Sequence, residues 1–150
     1  MSTSKIRNVF LSGLLVVMAA CSPAGPEDES SMVAEIVPLE GTNWQLVELT
    51  VLGGFVFVPE DHSDYVLNFR SGNRLTGTSD CNSIAGSWQQ DDTALRFEPY
   101  SSTRSLCAPG SLHSYLDLYL KDVEALSFRD GLMVLTTPTE GVEIKFESRE

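Results

Sequence analysis

The sequence predicts a mainly β domain with one α-helix. The expected architecture is a small antiparallel meander of about eight short strands closed into a β-barrel, with the helix packed on one end or face. Three observations point there. Apolar and polar residues alternate over short stretches from Gly41 onward, glycine-containing turn signals separate those stretches, and residues 111–126 alone switch to helical spacing. A period of two marks a half-buried strand, and a period of 3.6 marks an amphipathic helix. Closure into a barrel removes the unpaired edges that an open sheet would expose.

In chain order, residues 44–51 are rich in large and β-branched side chains, and Phe55-Val56-Phe57-Val58 is a compact apolar run before Pro59. Glu60, Asp61, His62, Ser63 and Asp64 then form an acidic loop. Within 65–70, Tyr65, Leu67 and Phe69 fall on one face. Ser71-Gly72-Asn73 is a three-residue hairpin signal, and the chain returns through 74–78. Residues 84–89 follow, Gln90-Asp91-Asp92 turns the chain, and 95–98 alternates again. Pro99 is expected to end that strand, because it has no N–H to give to a ladder. Across 111–126, Leu112, Tyr115, Leu116, Tyr119, Leu120 and Val123 make an apolar stripe, with His113 and Asp117 on the polar side. Ser111 is the expected N-cap. Asp130-Gly131 is a two-residue hairpin signal. Residues 132–136 and 142–147 complete the sheet, with Val142, Ile144 and Phe146 opposed to Glu143, Lys145 and Glu147.

Residues 1–20 read as a secretory signal peptide: Lys5 and Arg7, an apolar run over 9–18, then Ala19-Ala20. The run is too short to cross a bilayer, which takes roughly 20 apolar residues. Met18-Ala19-Ala20-Cys21 resembles the bacterial lipobox, in which the cysteine receives a diacylglycerol and becomes the new N-terminus. That resemblance implies a membrane anchor at Cys21, firmer than one acyl chain because each buried methylene adds about 0.8 kcal/mol. Ser22 in place of Asp implies sorting to the outer membrane, with the domain in the periplasm. Residues 21–39 read as the lipidated cysteine and a flexible acidic tether with a reach of roughly 20–25 Å. The folded domain is expected over 40–150.

With Cys21 assigned to lipid, Cys81 and Cys107 remain in an oxidising compartment, and two cysteines have one intramolecular connectivity. A disulfide between them stabilises by about 3–4 kcal/mol in the chain-entropy account. Metal ligation competes with this reading, but it needs four partners, and His62 and His113 are the only histidines to help. The disulfide is the favoured reading.

Three segments together resemble the META domain, the HslJ-like family of small bacterial envelope proteins. They are Gly41-Thr42-Asn43-Trp44-Gln45-Leu46, Cys81-Asn82-Ser83-Ile84-Ala85-Gly86 and Ser102-Thr103-Arg104-Ser105-Leu106-Cys107. The resemblance covers about 39–147 and implies a barrel of lipocalin-like topology with a helix packed on it. In two places the sequence departs from the family pattern. Asp80 stands where the family has Gly, and Asp tolerates a left-handed backbone better than most residues. Trp88 stands where the family has Tyr and keeps a large aromatic anchor. Family members are associated with heat shock, novobiocin tolerance and, in some parasites, virulence, without an agreed activity, so the resemblance supplies no mechanism.

Function is otherwise bounded by charge and by chemistry that is missing. The chain carries 21 acids against 10 bases, a net −11, and loss of Lys5 and Arg7 with the signal peptide leaves 21 against 8, or −13. Such a surface disfavours nucleic acid, whose phosphates must be met by Lys or Arg. Motifs for a nucleophile elbow, a phosphate-binding loop or a zinc protease are absent from the sequence, so neither a catalytic residue, a resident metal nor a cofactor is expected. Asn82, Thr103 and Arg104 are the candidate recognition patch. In the competing structural reading, which is preferred, Asn82 and Thr103 bond loop backbone and Arg104 pairs a carboxylate. The leading expectation is a non-enzymatic, lipid-anchored envelope protein that serves envelope integrity under stress by binding another protein. A carrier of a small apolar ligand is the first alternative and needs an internal cavity of roughly 300 Å³ or more. Trp44, Tyr65, Phe69, Trp88 and Phe97 compete for that space. A hydrolase is the second alternative.

Overall fold

The computed structural model describes residues 37–150. The expected signal peptide, Cys21 and the expected tether as far as Ile36 lie outside the described residues. Nine strands and one helix are present among those described. They are β1 (Asn43–Val51), β2 (Phe55–Phe57), β3 (Tyr65–Arg70), β4 (Arg74–Ser79), β5 (Asn82–Asp91), β6 (Ala94–Ser102), α1 (His113–Leu120), β7 (Ala125–Arg129), β8 (Leu132–Thr136) and β9 (Glu143–Ser148). All pairings are antiparallel, and β9 returns to β1, so β1 and β3 to β9 close an eight-stranded barrel of the lipocalin-like kind expected. The ninth strand, β2, is a short addition on the outer part of β1, from Leu49 to Val51.

Closure follows from the alternation in the strands. Tyr65, Leu67 and Phe69 of β3 and Ile144 and Phe146 of β9 are buried, while Lys145 and Glu48 meet on the outside at 2.6 Å. Phe69 lies at the centre, its ring 5.6 Å from that of Trp88 and 6.1 Å from that of Phe97. Trp44 and Phe128 pack 5.8 Å apart across the barrel. Leu39 is also fully buried, although it falls within the expected tether. Its carbonyl accepts from the Thr42 hydroxyl at 2.6 Å, and the Trp44 indole N–H in turn donates to that hydroxyl. The chain therefore enters the fold at the end of the barrel where β1 starts, with Gly41 N–H donating to the Phe69 carbonyl at 2.7 Å.

Turn chemistry places the hairpins. Asn73, Asp80, Asp92 and Asp130 all have φ near +55°, which Asn and Asp tolerate best among residues with a side chain. Two glycines serve close approach instead. A Cβ on Gly77 would stand 2.1 Å from the Val66 carbonyl oxygen, and one on Gly86 would stand 2.3 Å from that of Pro99.

Four local expectations are corrected. Pro99 does not end its strand: β6 runs on to Ser102. The β5–β6 register shifts between Gly86 and Trp88, opposite Glu98 and Pro99, so the residue without an N–H sits where the ladder is already interrupted. The turn before β6 is Asp92-Thr93, with Asp91 paired to Ala94.

The helix is also shorter than its apolar spacing suggests. It ends at Leu120, because the Glu124 N–H donates to the Thr136 carbonyl at 3.0 Å and draws the chain into β7. Leu112 is the N-cap residue, with no side-chain bond to the helix; Ser111 Oγ accepts from His113 N–H at 3.2 Å. Leu112, Leu116, Leu120 and Val123 still bury one face, whereas Tyr115 and Leu118 are exposed.

Between β6 and β7 the barrel is joined by one residue pair, Ala94 with Ala125, supported by bonds from Leu95 N–H to Glu124 and from Leu126 N–H to Thr93. The rest of β6 runs past the start of β7, and α1 is bonded to it there. Asp117 accepts hydrogen bonds from Tyr100 Oη at 3.1 Å and from Ser102 Oγ. Burial first, and then the Asp117 carboxylate, push the Tyr100 hydroxyl well above its ordinary range.

Candidate functional site

The residues singled out from the sequence converge on the end of the barrel opposite the start of β1. Cys81 lies in the β4–β5 turn and Cys107 in the loop from β6 to α1, and their sulfurs are bonded, with Cα atoms 5.4 Å apart. Asn82 is 2% exposed and sits directly beneath that bond. Its amide nitrogen faces the Ser105 carbonyl at 3.2 Å and the Cys107 sulfur at 3.2 Å. Its amide oxygen accepts from Ser105 N–H at 2.7 Å and from Thr103 Oγ1 at 2.9 Å. Thr103 Oγ1 also accepts from Ser83 N–H at 3.0 Å. A buried amide must fill both its donor and its acceptor sites, and Asn82 does so by gathering one loop around itself. Arg104 does not join this cluster: it is exposed and makes no ion pair among the described residues.

The same end holds the helix. His113 is not simply solvated: its Nδ1 lies 3.0 Å from Ser79 Oγ, and Ser79 is fully buried. The Tyr65 hydroxyl accepts from Leu112 N–H at 2.9 Å. A serine beside a histidine invites comparison with an acyl-transfer pair. Ser79 Oγ is closed to any substrate, however, and no carboxylate is hydrogen-bonded to the imidazole among the described residues. The pair fixes α1 to the end of β4. Likewise, no group of three His, Cys, Asp or Glu side chains is arranged to hold a metal among the described residues.

His62 belongs to the acidic loop, in a short 3-10 turn over His62–Asp64 that Asp61 caps by accepting from Ser63 N–H at 2.8 Å. Its Nδ1 is 3.0 Å from Glu147 Oε1, which also accepts from Gln45 Nε2 at 2.7 Å. The bond to His62 first, then that to Gln45, hold Glu147 below its ordinary value of 4.5. A depressed carboxylate contributes stability in full above that ordinary value, and the contribution is lost as pH falls through the lower folded value. Glu147→Gln is expected to cost no more than about 1 kcal/mol at neutral pH and to flatten the acid side of a stability profile. An acid limb identical to that of the parent in thermal melts would exclude the effect.

Two clefts flank the helix. One of about 600 Å³ lies between β6 and the turn leaving α1, bordered by Arg96, Glu98, Tyr100, Lys121 and Glu124. The other, of about 360 Å³, lies between the acidic loop and the loop entering α1. Beside the second cleft the β1–β2 hairpin presents apolar side chains to solvent, with Leu52 at 64%, Phe55 at 67%, Val56 at 55% and Val58 at 62% exposed. This surface was missed from the sequence, because an apolar run such as 55–58 reads the same whether its strand lies inside a barrel or on its edge.

Fold and site together define a small closed β-barrel protein with a disulfide clamp and a helix at one end. No helix among the described residues is long and apolar enough to cross a membrane. The family model of the META domain matches residues 37–150, and the chain belongs to that family. No curated protein matches it. Among solved structures, a protein from Burkholderia xenovorans determined by NMR is similar at 20% identity and a TM-score of 0.61, over 85% of this chain and 99% of that one. A crystal structure of a DUF4847 family protein from Bacteroides vulgatus ATCC 8482 is similar at 13% identity and a TM-score of 0.52, over 73% of this chain and 93% of that one. At these identities the likeness is one of fold, and neither the family nor these structures indicates a catalytic class.

Proposed function

We propose that this META domain protein is a non-enzymatic envelope lipoprotein, anchored through Cys21 to the outer membrane and facing the periplasm, that supports envelope integrity under stress by binding another protein. The observation that carries the binding role is the exposed apolar hairpin of Leu52, Phe55, Val56 and Val58. Large apolar side chains left exposed together on one hairpin support an interaction site there. The lipobox-like Met18-Ala19-Ala20-Cys21 supports the anchor. The carrier reading is not favoured, because the residues that compete for the interior, among them Trp44, Phe69, Trp88 and Phe97, are all buried there.

The anchor is tested by Cys21→Ala in cells fed labelled palmitate. The expected result is loss of label and release of the protein from the membrane fraction; a labelled, membrane-bound Cys21→Ala product overturns the anchor. The binding role is tested by crosslinking in intact envelopes, where the native protein is expected to capture a partner and the Cys21→Ala form to capture less of it.

A further inference from the structure

The smaller cleft, taken with its surroundings, defines the chemistry of the partner. Its apolar lining is Phe57 and Val58 together with the buried Pro59, Tyr65 and Leu112, and Phe57 stacks on Tyr115 of the helix with ring centroids 4.9 Å apart. Val58 borders it at 62% exposure. Phe55 is on the same face of β2 as Phe57, since strand side chains alternate, and so continues the apolar surface outward. Glu60, Asp61, Asp64 and Asp80 line the same cleft. The ion pairs among the described residues use Glu48, Glu143 and Glu147, so none of these four carboxylates has a cation in salt-bridge contact.

We propose that this cleft is the docking groove for a basic amphipathic segment of another protein, its apolar side chains resting on Phe57 and Val58 and its Lys or Arg side chains meeting Glu60, Asp64 and Asp80. The inference rests on the protein-binding reading above and adds the place and the chemistry. Charge complementarity selects the occupant. Carboxylates without a cation partner beside the exposed Val58 and Phe55 keep their potential for an incoming cation, which pairs with them as its apolar neighbours leave water. A second copy would bring the same four carboxylates against their own kind on a chain of net charge −11, and anionic headgroups are repelled in the same way.

The test uses the full lipidated chain in detergent micelles and a fluorescent peptide of alternating lysine and leucine, read by anisotropy. Binding is expected, weakening as salt rises. It should fall by about tenfold or more in Asp64→Asn/Asp80→Asn, and likewise in Val58→Ser, which removes apolar surface and no charge. Asp130→Asn, at the far hairpin, should bind as the parent does, as should be the case for its thermal melt and those of the other variants. Absence of binding, or equal binding by Asp64→Asn/Asp80→Asn, overturns the groove.

Photo-crosslinking in envelopes from a probe at position 58 and another at position 130 separates this proposal from the broader one. Capture of a heterologous basic segment from position 58 supports the groove. Capture from 130 alone removes the groove and leaves the protein-binding role standing. Capture of a second copy at 58 also removes the groove as drawn, and no capture from either position counts against both readings.

Discussion

Phe69→Ala is expected to lower the unfolding free energy by about 3–5 kcal/mol, the range for truncating a buried aromatic. The ring is fully buried, lies opposite Leu75 across the β3–β4 ladder, and touches both Trp88 and Phe97. These neighbours are held by three different strands of a closed barrel, so they cannot collapse into the space that the ring vacates. The cost is the lost transfer of the ring from water plus an unfilled cavity, and the melting temperature should drop by roughly 10–20 °C. Phe69→Leu should recover most of the loss, because it keeps much of the volume. Urea titration followed by tryptophan fluorescence checks both. A loss below about 1 kcal/mol for Phe69→Ala would mean that the centre of the barrel is not close-packed.

Removal of the clamp should cost nearly as much. Cys81→Ser with Cys107→Ser frees a loop 26 residues long, which in the chain-entropy account lowers stability by about 3–4 kcal/mol. The ladders do not depend on the bond: Ser79 pairs with Asn82 beside it, and Ile84 pairs with Ser102. The variant should therefore keep the far-ultraviolet circular dichroism of the parent at low temperature and melt earlier. Reductant should bring the parent down to the variant and leave the variant where it was. If the parent resists reductant while thiol titration shows the bond opened, the loop is held by hydrogen bonds, those of Asn82 to Thr103 and Ser105 and that of Ser83 to Thr103.

What could be read from the sequence is what local chemistry decides. Alternation in 65–70 and 142–147, and the hairpin turns at 71–73 and 130–131, are properties of a few adjacent residues, and the folded chain displays them as expected. The disulfide was legible for a similar reason, because removing one cysteine from three leaves a single pair. Features that depend on contact between distant segments were not legible. Pro99 is accommodated by a register shift that exists only across β5 and β6. The helix stops short of where Thr136, sixteen residues beyond Leu120, claims the Glu124 N–H, although the apolar spacing continues through Val123. The role of Asn82 needs Thr103 and Ser105 to be folded back over it. At the candidate groove, the acidic residues were visible one by one, but their gathering along one cleft depends on the loop entering α1.

The position at which the chain enters the fold carries a mechanical consequence. Leu39 and Gly41 are fastened beside Phe69 at the start of β1, whereas Tyr65, Asp80 and Leu112 of the groove stand at the opposite end. A pull between the N-terminal chain and anything seated in that groove is directed along β1. The load falls on the hydrogen bonds from Trp44 to Thr50 that join β1 to β9, and on those from Asn43 to Gln45 that join it to β3, all in parallel. Bonds loaded side by side must yield together, whereas bonds in a peeled strand yield one after another. Tension applied between those two points would therefore load the β1 ladders in shear rather than open them one bond at a time.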